Sequence, residues 1–146
     1  MKKEKAQALV EFALLLPIFI LIVFLTIQFG IILNAYVSIT HLSREGARYA
    51  AINYNKTDDE IRNYIRGNPE ENYSGGINPS HMYGGDFTNI SIYPPYGSPL
   101  RKRGFTITVT IVYNLKGTKP KLFLPTTFLG VSIPTTISSQ TSMRIE

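Results

Sequence analysis

The sequence predicts an α+β protein. A long N-terminal helix crosses a membrane, continues as an extracytoplasmic stem, and packs against a small, mainly antiparallel β-sheet. Three observations predict this. A run of 22 residues without a formal charge, 12–33, follows a lysine-rich start. Helical periodicity then continues without a proline or a turn cluster. Near the C-terminal end, apolar and polar residues alternate as strands require. The 146 residues give room for one modest domain and one span.

The run "FALLLPIFILIVFLTIQFGIIL", as a helix, is about 33 Å long, enough for a hydrocarbon core of about 30 Å. Pro17, Thr26, Gln28 and Gly30 are its interruptions, and a membrane helix tolerates them. A cleaved secretory signal would have an apolar region of about 7–15 residues and a small-residue exit. This run is longer and no such exit follows, so the segment is expected to stay as a transmembrane helix over 7–33. Lys2, Lys3 and Lys5 keep the N-terminus in the cytoplasm and put residues 34–146 outside a single-pass cell membrane protein. Arg44 and Arg48 at the far end reduce that asymmetry.

"NAYVSITHLSREGARYAAINYN" carries the helix onward. Ala35, Ile39, Leu42, Gly46 and Tyr49 or Ala50 recur at spacings of three and four, which gives an apolar face that needs a partner. Thr57-Asp-Asp-Glu60 is a capping-box pattern opening a short second helix with Ile61, Tyr64 and Ile65 on its apolar face, ending near Gly67. Helix capping, not metal binding, is the reading of this acidic cluster.

Residues 67–85 contain five glycines and two prolines and read as a flexible Gly/Tyr-rich loop. Tyr73 and Tyr83 are its candidate contact residues, against the alternative of a plain surface loop. "DFTNISIYPP" and "GFTITVTIVYN" are two strands, the second with Phe105, Ile107, Val109, Ile111 and Tyr113 on one face. Between them Arg101, Lys102 and Arg103 form a basic hairpin tip in solvent, or a contact for lipid headgroups or an acidic partner. "KLFLPTTFLGVSIP" is too short to span a membrane and reads as a core-covering strand or turn. "TTISSQTSMRIE" alternates again, with Ile137, Met143 and Ile145 on one face.

Charge and composition exclude several functions. The net charge is +5, spread along the chain, which fits weak attraction to anionic surfaces and not a nucleic-acid platform. No cysteine is present, so disulfides and thiolate metal sites are excluded. His41 and His81 have no second clustered histidine or nucleophile motif, so no catalytic, cofactor-binding or metal-binding residue is assigned.

The lysine-rich start, "AQALVEFALLLP", the juxtamembrane "SREGARYAA" and the final "MRIE" together resemble the TadE-like family of the tight-adherence (Tad) pilus system, and more broadly a type IV pilin or pseudopilin. The resemblance implies a pilin-like fold and a basic leader, 1–6, removed by a prepilin peptidase between Ala6 and Gln7. It also implies a processing and assembly glutamate, Glu11, at the fifth mature position, followed by the aromatic Phe12. Ala6 departs from the family's usual glycine; its extra methyl narrows the backbone conformations available in a peptidase cleft. From the residues alone, Glu11 has two readings. It leans to the membrane interface, or it pairs with the amine that cleavage creates on Gln7, in its own or a neighbouring chain.

The implied function is a non-enzymatic pseudopilin or minor pilin assisting assembly or export of a Tad-type surface pilus. Its implied partners are the bilayer, other pilin or pseudopilin subunits, prepilin peptidase and the assembly platform. The alternatives are an unprocessed single-pass assembly factor of the same system, and a membrane-anchored extracellular binding module using the Tyr/Gly-rich loop.

Overall fold

A computed structural model describes the backbone of residues 2–67, 87–115, 127–128, 131–132 and 135–146, and the side chains of residues 7–67, 87–115 and 135–146. The Tyr/Gly-rich loop beyond Gly67, with Tyr73, Tyr83 and His81, lies outside the described residues.

The first helix, α1, runs unbroken from Lys2 to Ile52, 51 residues, with Pro17 inside it. At about 1.5 Å per residue it is roughly 76 Å long. It includes residues 2–6, so the backbone shows no boundary at Ala6 and Gln7. Its polar hydroxyls are satisfied along its own axis. Thr26 donates to the Ile22 carbonyl at 2.9 Å, Ser38 to Asn34 at 2.9 Å and Thr40 to Tyr36 at 2.8 Å. Such back-bonding lets a hydroxyl sit where water is scarce.

Helix α2, Asp58–Arg66, starts on the expected capping box: the Thr57 hydroxyl accepts from the Glu60 N–H, and the Glu60 carboxylate accepts from the Thr57 N–H at 2.8 Å. Two orphan donors are thereby paired. The helix ends at Gly67, with φ +83°, a region only glycine enters cheaply. Ile61 and Ile65 are fully buried.

Three strands make the main sheet, in the order β1–β2–β5: β1 is Phe87–Tyr93, β2 Thr106–Asn114 and β5 Thr136–Arg144. Both pairings are antiparallel. β2 and β5 run in unbroken register from Thr106↔Arg144 to Asn114↔Thr136. β1 meets β2 with a bulge between Phe87 and Asn89. The core-covering segment contributes a separate two-stranded ribbon, β3 (Thr127–Phe128) with β4 (Val131–Ser132), rather than joining a single sheet. Ile107, Val109, Ile111 and Tyr113 are fully buried, whereas Phe105 precedes β2 and stays exposed.

The core lies between this sheet and the upper half of α1. Ala35, Ile39, Leu42, Gly46 and Ala50 form the helix side, and Ala47 and Ala51 widen it. Small residues let the helix lie close. A Cβ on Gly46 would stand 2.7 Å from Ile65 Cδ1 and 3.6 Å from Val109 Cγ1. Cover begins low on the helix, at Gln28, which is only 2% exposed.

One part of the helix–sheet contact is polar. Ser43 is fully buried, and its Oγ lies 3.0 Å from the Thr40 carbonyl, 2.9 Å from Ser139 Oγ and 2.9 Å from Thr141 Oγ1. A hydroxyl has one hydrogen and two lone pairs. The carbonyl can only accept, so Ser43 donates to Thr40 and accepts from both strand residues. All its capacity is used.

Candidate functional site

Below its covered half, α1 is a bare apolar rod. Leu9, Val10, Phe12, Leu14, Leu15 and their apolar successors up to Ile27 are exposed except for half-buried Leu21, and mean hydropathy in the span reaches 2.9. Side chains this apolar are at home in lipid or against other apolar helices, and this helix is the chain's membrane anchor. Phe12, Leu15, Leu16 and Phe19, at helical spacings of three and four, line a shallow apolar groove of about 320 Å³.

The predicted assembly residues sit at the start of this rod. Gln7 and Glu11 are one turn apart, and the Gln7 side-chain amide donates to Glu11 Oε1 at 3.3 Å. Glu11 is exposed and Phe12 beside it is 64% exposed. The backbone of Ala6 is helical, but its side chain is outside the described residues. The helix therefore presents a carboxylate and a carboxamide on one face, with an aromatic ring about 100° further round. This arrangement can fix packing and register.

The basic triplet is where expectation and structure part. Lys102 and Arg103 are exposed as expected. Arg101 is not in solvent; it is 5% exposed. Its guanidinium turns back to the start of α2, pairing through Nη1 with Asp58 and donating through Nη2 to the Lys56 carbonyl at 2.9 Å. Asp58 Oδ2 also accepts from the Tyr96 N–H at 3.3 Å. The physical reason is that the β1–β2 connection is folded, not a free tip. Ser98 N–H donates to Pro95 at 3.1 Å and Arg101 N–H to Ser98 at 3.0 Å, with Gly97 at φ +83°. The connection thus lies against the capping box, and its arginine neutralises the first carboxylate of α2.

Beside this clamp, the α1–α2 link and the β1–β2 connection enclose an open cleft of about 530 Å³. Sequence reading missed it because its walls come from segments some forty residues apart. The Asp58–Arg101 pairing left no local signal beyond an acidic residue in one segment and a basic one in the other. Nearby, Tyr49 and Tyr64 stack with centroids 3.7 Å apart, and Lys56 Nζ donates to the Tyr49 hydroxyl at 2.6 Å, which raises the lysine pKa above its ordinary value. The Glu45 carboxyl is held low, chiefly by its hydrogen bond from Arg48. That of Glu60 is held low by the Thr57 N–H, then by its hydroxyl. Among the described residues no group of three His, Cys, Asp or Glu could hold a metal ion.

Comparison with known families bears on the rod. Residues 6–48 match the family model described as TadE-like protein. Over that stretch the chain is similar to TadE-like proteins. The matched stretch takes in the groove-forming turn, Glu11 and the lower part of the sheet-facing stripe, and it stops before the cleft. No curated protein and no solved structure matches the chain.

Proposed function

We propose that this TadE-like protein is a non-enzymatic pseudopilin or minor pilin that assists assembly or export of a Tad-type surface pilus. The observation that carries the reading is one helix with two halves. The TadE-like match spans both, residues 6–48; the lower half is apolar and exposed, and the upper half is built into a folded domain. In this reading residues 1–6 are a basic leader on the cytoplasmic side, 7–33 lie in the bilayer and 34–146 lie outside. Prepilin peptidase cuts between Ala6 and Gln7. The new amine then appears one helical turn from Glu11, where opposite charges in a poorly hydrated setting attract strongly. Other pilin or pseudopilin subunits pack along the exposed rod, and the assembly platform receives the cytoplasmic end.

N-terminal mass spectrometry of protein from native membranes tests this directly. A chain beginning at Gln7 is expected, and an intact Met1 terminus sinks the processed-pilin reading. A second reading is an unprocessed membrane-anchored assembly factor of the same system. It is favoured by Ala6 in place of glycine and by a helix that runs through the cleavage point without a break. Glu11→Gln separates register-setting from interfacial leaning: loss of filament yield with normal membrane insertion supports register-setting.

A further inference from the structure

The cleft at the far end of α1 brings aromatic, amide, hydroxyl and cationic side chains together. Tyr54 and Asn55 on one wall follow directly after the helix, and Tyr96, Ser98, Arg101 and Lys102 form the other. The Tyr96 ring remains 55% exposed, with the Arg101 guanidinium carbon 5.8 Å from its centroid. Among the described residues no carboxylate lines the cleft. Arg101 has its charge met by Asp58, yet its buried Nε reaches no acceptor among the described residues. Lys102 is exposed and leaves the cleft with one open positive charge.

These features select a ligand class. A flat exposed aromatic ring suits the apolar face of a sugar ring. An amide and a hydroxyl suit its hydroxyl groups, and a cation unmatched by any lining carboxylate suits an acid on the sugar. A volume of about 530 Å³ fits one or two sugar units, within the usual range for ligand sites. The location is accessible. From Gln28 to Ile52 the helix rises about 36 Å, so the cleft stands well clear of the apolar span. We propose that this cleft binds a short acidic saccharide, with one ring on Tyr96 and its carboxylate at Lys102. The site does not depend on leader cleavage or on entry into a filament.

The test is calorimetric titration of the full chain in detergent micelles with trigalacturonate, neutral maltotriose and triglutamate. Trigalacturonate is expected to bind at least tenfold more tightly than either of the others. Tyr96→Ala should weaken it tenfold or more, and Lys102→Glu should abolish the preference over maltotriose. Both side chains are exposed, and unchanged circular dichroism checks that the variants fold. Equal binding of the two sugars, tighter binding of the peptide, no saturable binding, or variants that bind like the wild type would each overturn the proposal. Leader processing of the same variants is read separately, so failure here is distinct from failure of the pilin reading.

Discussion

Ser43 offers the sharpest test of how the helix is held to the sheet. Ser43→Ala removes an oxygen that makes one donated and two accepted hydrogen bonds in a fully buried position. The donated bond is worth about 1 kcal/mol. Ser139 and Thr141 then keep hydroxyl hydrogens with no acceptor. Because both are half-buried, water partly relieves them, at roughly 0.5–1 kcal/mol each. Alanine returns about 0.5 kcal/mol through its better helix propensity. The expected net loss is about 2 kcal/mol. With an m-value of about 1.5 kcal/mol/M, the urea midpoint should fall by roughly 1.3 M. The assay is urea unfolding of the full chain in micelles, followed by tyrosine near-ultraviolet circular dichroism. The triple change Ser43→Ala, Ser139→Ala, Thr141→Val removes the whole cluster and leaves no orphan. It should lie within about 1 kcal/mol of the wild type and above the single mutant, since replacing all partners with apolar groups costs little. A single mutant as stable as wild type, or a triple mutant less stable than the single, would refute the saturated-hydroxyl argument.

Other consequences can be measured in the same way. Arg101→Ala leaves Asp58 and the Lys56 carbonyl without their shared donor, and should cost about 3 kcal/mol by urea unfolding, as for a largely buried pair broken on one side. Thr57→Ala removes the α2 cap and should cost about 1 kcal/mol. Gly46→Ala improves helix propensity by about 1 kcal/mol but drives a methyl into Ile65; a net loss is expected, and adding Ile65→Val should recover most of it. The Glu60 and Glu45 carboxyls have lowered folded-state pKa values. Their stabilisation is therefore complete above their unfolded values near pH 4 and is lost as pH falls through the lower folded values. Glu60→Gln should flatten that acid limb in a pH series of thermal midpoints by lowering the neutral plateau, leaving the acid end little changed.

Much of the architecture was legible in the sequence because it rests on short-range rules. The uncharged run, the three–four spacing from Ala35 to Ala50, the Thr57–Glu60 box and the alternation of 105–113 each encode one element locally. What was not legible depends on pairs far apart. Nothing close to Ser43 in the sequence marks it for burial; only β5, almost a hundred residues later, supplies the hydroxyls that make its burial cheap. Arg101 looked like part of a solvated triplet because nothing in "PLRKRG" reveals that the chain folds back onto Asp58. The candidate site divides the same way. Glu11 stands out by its place at the edge of the apolar run and Phe12 only through the family resemblance, whereas the distal cleft exists only after two separate loops meet.

The unbroken course of α1 gears the folded domain to the membrane. With no joint between Gln28 and the span below it, neither tilt nor spin can be taken up at a linker. Each residue advances the helix by about 100° and 1.5 Å. The bearing and height of the distal cleft relative to Glu11 are therefore fixed by the number of residues between them. A single residue inserted at the base of the span would swing the cleft about a quarter-turn, while seven would return it close to its original heading about 10 Å higher. The anchor thus acts as a keyed shaft, and the direction in which the domain faces is decided inside the membrane.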